Sequence, residues 1–327
     1  MGRFLARLLV FLIMLGIAAG GVFAWGYAQF TRPGPLKAPM TLVIPRGSGV
    51  EGIANRLTEA NILHYPQIFM IAVRLHAEQG PLKAGEYAFK PGISPREVMA
   101  LLQSGETVVR RLTIAEGLSS RQIIAQLGDV EGLAGTVEQP PADGTLLPET
   151  YHFSFGDTRQ QMIARMQHGM QEMVDRLWER RAADLPIKTK EEAVILASVV
   201  ERETGIAAER PRVAAVFLNR LRAGMRLQSD PTVIYGISDG LGVLDRPLLR
   251  ADLQRDHPFN TYTRDGLPEG PICNPGRGAL EAVLNPISTD EYYFVADGTG
   301  GHAFARTLDE HNANVRRWRK VQQEQRQ

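Results

Sequence analysis

The sequence predicts an α+β protein: small strand–helix units lead into a mainly helical core that includes a β-hairpin, and one apolar helix precedes them all. Three observations predict this class. Residues 8–30 run without a charged side chain. A short motif of strand, glycine turn and amphipathic helix then occurs three times. Beyond it, apolar residues recur at helical spacing until two aromatic runs flank a glycine-rich turn near the C-terminus. Alternation marks strands, and spacing of three and four marks helices.

The apolar run follows Arg3 and Arg7 and is long enough to cross a bilayer, which takes about 20 residues. It exceeds the 7–15 residues of a signal-peptide core, so an uncleaved anchor is expected over 1–30, with a signal peptide cleaved near small residues such as Ala24 as the alternative. Basic flanks stay cytoplasmic, which sends the rest of the chain to the opposite face. Residues 31–40 hold Pro33, Pro35 and Pro39 and read as an extended linker.

Composition narrows the function. Of 327 residues, 37 are Lys or Arg and 36 are Asp or Glu, and removing Arg3 and Arg7 leaves the remainder balanced. A nucleic-acid binder normally carries a basic footprint, so no nucleic-acid partner is expected. A single cysteine, Cys273, excludes an intramolecular disulfide framework and a cysteine-based metal site.

The three units come next. Thr41-Leu42-Val43-Ile44-Pro45 leads through Gly47 and Ser48 into a helix over 50–57. Glu86-Tyr87-Ala88-Phe89 leads through Gly92 and Ser94 into 95–102, and 108–114 leads through Gly117 and Ser119 into 120–127. In each, serine is the expected helix cap. One unit cannot bury its own apolar face, so neighbours must pack together. Residues 132–144, rich in Gly and Pro, read as a loop.

A long amphipathic helix is expected from about Arg159 to Ala183, with Met162, Met166, Met170, Met173 and Leu177 on one stripe. Such a stripe reads as core rather than cofactor pocket. Thr189 with Glu192 fits a capping box. It opens a helix of Ala193, Val194, Ile195, Leu196, Ala197, Val199 and Val200, interrupted by Ser198. A helix apolar nearly all round is buried. At its end stand Glu201, Arg202 and Glu203. At about 100° per residue, Glu203 falls among Leu196, Val199 and Val200, and Glu201 falls beside Val194 and Ala197. A carboxyl held against apolar groups keeps its proton more tightly, which suits a general acid near neutral pH. A solvated helix end would explain the pair equally well.

A further helix opens near Ala208 with Pro211 in its first turn, and Gly224 closes it. Then Gln228-Ser229-Asp230-Pro231-Thr232 starts another, with Asp230 as the expected cap and Gln228 free to meet a ligand. Residues 257–262 and 266–272 form a long polar stretch containing Phe259, Asn260 and Tyr262. Aromatic rings interleaved with amides and hydroxyls suit a sugar, and a structural loop clamped by its aromatics is the plain alternative. Residues 292–296 and 302–305 flank Asp297-Gly298-Thr299-Gly300-Gly301 as a hairpin. No Gly-x-Ser-x-Gly elbow occurs, and His302 and His311 are too far apart for a helical metal pair. A metal site, a cofactor and a nucleophilic hydrolase are not expected.

The ordered set resembles the YceG-like family of endolytic murein transglycosylases. The matching stretches are Leu196-Ala197-Ser198-Val199-Val200-Glu201-Arg202-Glu203-Thr204, Val216-Phe217-Leu218-Asn219-Arg220-Leu221 and residues 224–236, with Asn260-Thr261-Tyr262, Gly266-Leu267-Pro268 and Val295-Ala296-Asp297-Gly298 with Gly301-His302. Gly205 departs from the small apolar residue common there. The resemblance implies a LysM-like module over 41–105 and a catalytic domain over 106–327. It implies a single-pass enzyme of the inner membrane whose catalytic domain faces the periplasm or extracytoplasmic space. The substrate would be peptidoglycan glycan strands, with peptidoglycan synthases as neighbours. Its essential glutamate maps onto Glu203, with Glu201 as the alternative if the register shifts. Gln228, Asp230, Tyr235, Asn260 and Tyr262 are the candidate substrate-binding residues. The implied product is a 1,6-anhydromuramic acid end. A hydrolytic muramidase and a non-catalytic peptidoglycan-binding scaffold remain alternatives.

Overall fold

The computed structural model describes residues 2–325. Met1 and residues 326–327, the extreme ends of the expected anchor and catalytic domain, lie outside the described residues. Among the described residues, helices and three two-stranded sheets alternate, as a mixed α and β class requires. Two compact units form: residues 1–110 with 152–156, and residues 111–151 with 157–327.

In the first unit, α1 (Gly2–Thr31) is a continuous apolar helix. Strand β1 (Met40–Ile44) leads into α2 (Val50–Glu59), and β2 (Gly85–Phe89) into α4 (Pro95–Ser104). The strands pair antiparallel, Met40 opposite Phe89 and Ile44 opposite Gly85. Between the two repeats lies α3 (Pro66–Leu75), which the repeat pattern does not reveal. Ile44, Leu57, Phe69, Tyr87, Phe89 and Leu102 form the shared core that no single repeat could build. Serine caps α4, where Ser94 and Glu97 form a reciprocal capping box. At α2 the cap is Gly49 and no side chain serves it, so Ser48 does not play the expected role.

The third repeat, β3 (Val109–Thr113) and α5 (Ser120–Asp129), is capped by Ser119 with Gln122, and β3 pairs with β4 (Thr150–Ser154). In the second unit, α6 (Arg159–Glu179) ends four residues before the expected limit. Its methionine stripe is buried as core. The Arg159 guanidinium donates to the carbonyls of Leu127, Gly128, Leu133 and Gly135, holding the start of the Gly-rich loop.

Helix α7 (Lys190–Glu203) is the centre of this unit. Thr189 caps it by accepting from the Glu192 N–H, but the Glu192 carboxylate accepts from Lys188, so only half of the expected box forms. Helices α6, α8 (Arg210–Arg222), α9 (Asp230–Ile237) and α11 (Arg277–Leu284) pack around α7. Leu196, Val200, Phe217, Leu280 and Val283 are fully enclosed among them. A short helix α10 (Arg250–Gln254) lies between α9 and α11 in sequence. The hairpin forms as β5 (Tyr293–Ala296) and β6 (His302–Ala305), with Ala296 opposite His302. Helix α12 (Leu308–Gln325) follows and packs on both strands.

Candidate active site

Helix α7 carries its two carboxylates into different surroundings. Glu201 has a side chain only 4% exposed. Its Oε1 accepts from the Arg210 guanidinium at 2.9 Å, and its Oε2 accepts from the Gly276 N–H at 2.8 Å. The same Arg210 nitrogen also reaches Glu116 at 2.8 Å. Burial pushes the Glu201 carboxyl upward, while the Gly276 N–H and Arg210 pull it back. Both oxygens are committed, and the group ties the end of α7 to α8 and α11. Arg202, on a third face, donates to the carbonyls of Gly117 and Gly242.

Glu203 is half-buried and receives one hydroxyl, that of Ser229. Burial is the main influence and pushes its carboxyl up to about 7; the Ser229 bond opposes this, and nearby Asp230 reinforces it. His302 and Arg220 also favour the charged form, more weakly. A carboxylic acid of this kind holds a proton near neutral pH and accepts one back after losing it.

Ser229 is placed by a buried threonine pair. Its N–H donates to Thr261 Oγ1 at 3.0 Å, Thr232 Oγ1 donates to the Ser229 carbonyl at 2.6 Å, and the two threonine hydroxyls meet at 2.9 Å. Gln228, just before it, has φ of 51°, a left-handed conformation that costs a non-glycine residue roughly 1–2 kcal/mol. The Gln228 N–H bonded to the Thr261 carbonyl at 3.1 Å fixes that turn and leaves the Gln228 side chain exposed.

Asp230 is the first residue of α9 and not its cap; Ser229 occupies the cap position but spends its hydroxyl on Glu203. The exposed Asp230 carboxylate instead accepts from Tyr262 at 2.5 Å. Burial and that bond raise the Tyr262 phenol well above its ordinary value, so it remains a donor. Glu203, Gln228, Asp230 and Tyr262 thus come together.

Two other candidates are placed differently. Asn260 is 1% exposed; its amide donates to the Leu253 and Arg255 carbonyls, and its oxygen accepts from the Tyr262 N–H. That is the loop-clamp geometry. Tyr235 donates to Asp143 at 2.5 Å and packs its ring 4.8 Å from Phe259, while Asp143 also accepts from the Ser120 N–H. Tyr235 therefore holds the 132–144 loop beside α9.

Sequence reasoning assigned no role to Ser229, Arg220 or the Glu209–His302 pair. Arg220 is buried, donates to the carbonyls of Tyr292 and Leu227 at 2.7 Å each, and joins the hairpin to the turn before α9. His302 donates its backbone N–H to Glu209 at 2.9 Å and sets ring Nδ1 2.7 Å from the same carboxylate. Burial would raise Glu209, but the His302 bonds outweigh it and hold it below the usual range. Ser229 stood inside the matching motif, which was the available signal.

Ser229→Ala is expected to remove the bond that favours ionised Glu203 and to move the alkaline limb of the pH–rate profile upward, with the protein folded. An unchanged limb would show that the hydroxyl does not act on this carboxyl.

The YceG-like family model matches residues 42–317. The endolytic murein transglycosylase of Bacillus subtilis (strain 168) is 31% identical over 328 residues, covering 90% of this chain and 89% of that protein. Its namesake in Streptococcus pneumoniae (strain D39 / NCTC 7466) is 28% identical over 360 residues, covering 95% of this chain. The chain spans 64% of that longer protein. A crystal structure of a yceG-like protein from Listeria monocytogenes superimposes with a TM-score of 0.51 at 29% identity, covering 85% of this chain and 99% of that one. This chain belongs to the YceG-like family.

Proposed function

We propose that this chain is an endolytic peptidoglycan lytic transglycosylase with Glu203 as its proton donor and acceptor. It cuts the bond between N-acetylmuramic acid and N-acetylglucosamine inside glycan strands. The observation that carries the reading is a half-buried carboxyl pushed up to about 7, next to the exposed Gln228 and Asp230. Family membership and the names of the relatives support the reaction class.

Ordinary glycosidases divide acid and base or nucleophile between two carboxylates. Here one is enough. Protonated Glu203 gives its proton to the glycosidic oxygen as the bond to muramoyl C1 breaks, and the N-acetylglucosamine 4-hydroxyl leaves. Ionised Glu203 then takes the proton of the muramoyl C6 hydroxyl as that oxygen closes on C1. The product is a 1,6-anhydro end, the acid is restored, and no water is consumed. A nucleophile already attached to the substrate saves about 7–11 kcal/mol of the barrier. Ser229 steadies Glu203 between the two transfers, Gln228, Asp230 and Tyr262 position the glycan, and Asn260 and Tyr235 hold the surrounding loops.

Residues 1–30 serve as the single-pass inner-membrane anchor, 31–40 as the linker, 41–105 as a LysM-like module and 106–327 as the catalytic domain outside the cytoplasm. The length and apolar character of α1 support the anchor. Beside peptidoglycan synthases, such cuts end the growth of nascent strands.

Mass spectrometry of peptidoglycan digested by the purified full chain tests the reaction. Internal fragments with anhydro ends are expected. Reducing muramic acid ends would identify a muramidase, and binding without fragments would identify a scaffold.

A further inference from the structure

The outward face of α3 is more apolar than a water-facing helix needs. Phe69, Ala72 and Val73 point into the core of the first unit. On the other side, Ile71 is 57% and Leu75 67% exposed, Tyr65 at the N-cap is 45% exposed, and Ile68 is partly buried against the core. Scattered exposed apolar residues are ordinary. Ile71 and Leu75 share one ten-residue helix that Tyr65 caps, and both ends of that helix touch α1. The Tyr65 ring, at the N-cap, meets Trp25 edge-on at 5.5 Å. His76, at the C-cap, stacks on Phe30 at 6.2 Å.

The length of α1 sets the height of these contacts. Its 30 residues extend about 45 Å, against about 30 Å of hydrocarbon. About ten residues therefore extend past the core of the membrane, and residues 2–7, with Arg3 and Arg7, account for those on the basic side. About 20 residues counted from Leu8 end at Tyr27, so Trp25 and Tyr27 lie at the far boundary and Phe30 just beyond it, and Trp and Tyr favour the headgroup boundary. Helix α3 is fastened to that segment. Exposed Arg74, between Ile71 and Leu75, has a long stem that can follow the apolar surface while its guanidinium meets lipid headgroups.

We infer that α3 lies on the surface of the bilayer that α1 crosses, with Ile71 and Leu75 covered by lipid. The inference rests on α1 being a membrane anchor. It gives the first unit a second attachment to the membrane and fixes its height there.

The test uses the full chain in vesicles of phosphatidylcholine and phosphatidylglycerol. A fluorophore is placed on single cysteines at Leu75, at Ile13 in mid-α1 and at exposed Glu51; native Cys273 is buried. Spin-labelled lipids of shallow and deep position, and aqueous iodide, serve as quenchers. At Leu75, shallow-lipid quenching several-fold above that at Glu51 is expected, with protection from iodide. Iodide access equal to that at Glu51 would place the face in water and overturn the proposal. Protection from both quenchers would mean that a protein or a second copy covers it, which also overturns it. Absence of deep-lipid quenching at Ile13 would defeat the anchor reading itself, a result separable from failure at Leu75 alone.

Discussion

Glu203→Gln is expected to lower anhydro-product formation by at least 10²–10⁴-fold, the range that general acid–base groups contribute, while leaving the protein folded. The substitution also has a stability signature with a defined sign. Burial raises the folded-state carboxyl from 4.5 to about 7. Between those values the unfolded chain releases the proton that the folded chain keeps, so stability falls as pH rises through this window. Above pH 7 the folded protein carries the full penalty, and a neutral amide does not. The gap corresponds to at most about 3 kcal/mol, reduced by the partial exposure of Glu203. Glu203→Gln should therefore raise the melting temperature at pH 8 and leave it nearly unchanged at pH 4. Wild-type turnover by the folded variant would remove Glu203 from the chemistry. Equal stability changes at both pH values would contradict the raised carboxyl.

Glu201→Ala is expected to do the reverse. It strips a buried partner from Arg210 and leaves the Gly276 N–H unsatisfied. Breaking a buried ion pair from one side costs 3–5 kcal/mol in general, and an orphaned buried donor 1–3. Arg210 keeps Glu116, so a loss of about 3 kcal/mol is expected in chemical denaturation. The fraction still folded should retain activity within about tenfold, since Glu201 has no oxygen to offer a substrate. Full loss of turnover with unchanged stability would exchange the roles of the two glutamates.

The helical wheel separated these carboxylates because α7 is long, buried and regular, so the side each residue faces follows from its number. The repeat of strand, turn and helix was legible for a similar reason: each unit carries its own turn glycine and alternation. Helix α11 was not. Its eight residues acquire meaning against α6, α7 and α8, elements that lie 55 or more residues away in sequence.

The same distance hid the partners in the site. Ser229 looked like part of a helix start, and its hydroxyl had a local use as a cap; the meeting with Glu203 spans 26 residues. Asp230 offered a good local explanation as a cap, and the tertiary bond from Tyr262 prevailed. Asn260 and Tyr262 are neighbours with opposite fates, one enclosed by backbone carbonyls and the other turned toward Asp230. Gly205 illustrates the converse. A Cβ there would meet nothing within 4 Å, so a small apolar side chain would fit in its place without structural compensation.

One measurement goes directly to the proton on which the mechanism turns. Carbon-13 NMR of glutamate-labelled protein, compared between wild type and Glu203→Gln, isolates the Glu203 carboxyl as the resonance missing from the variant. The account predicts a titration midpoint near 7 for that resonance. A midpoint between 4 and 5, the ordinary glutamate range, would leave Glu203 ionised at neutral pH, with no proton to deliver, and would contradict it.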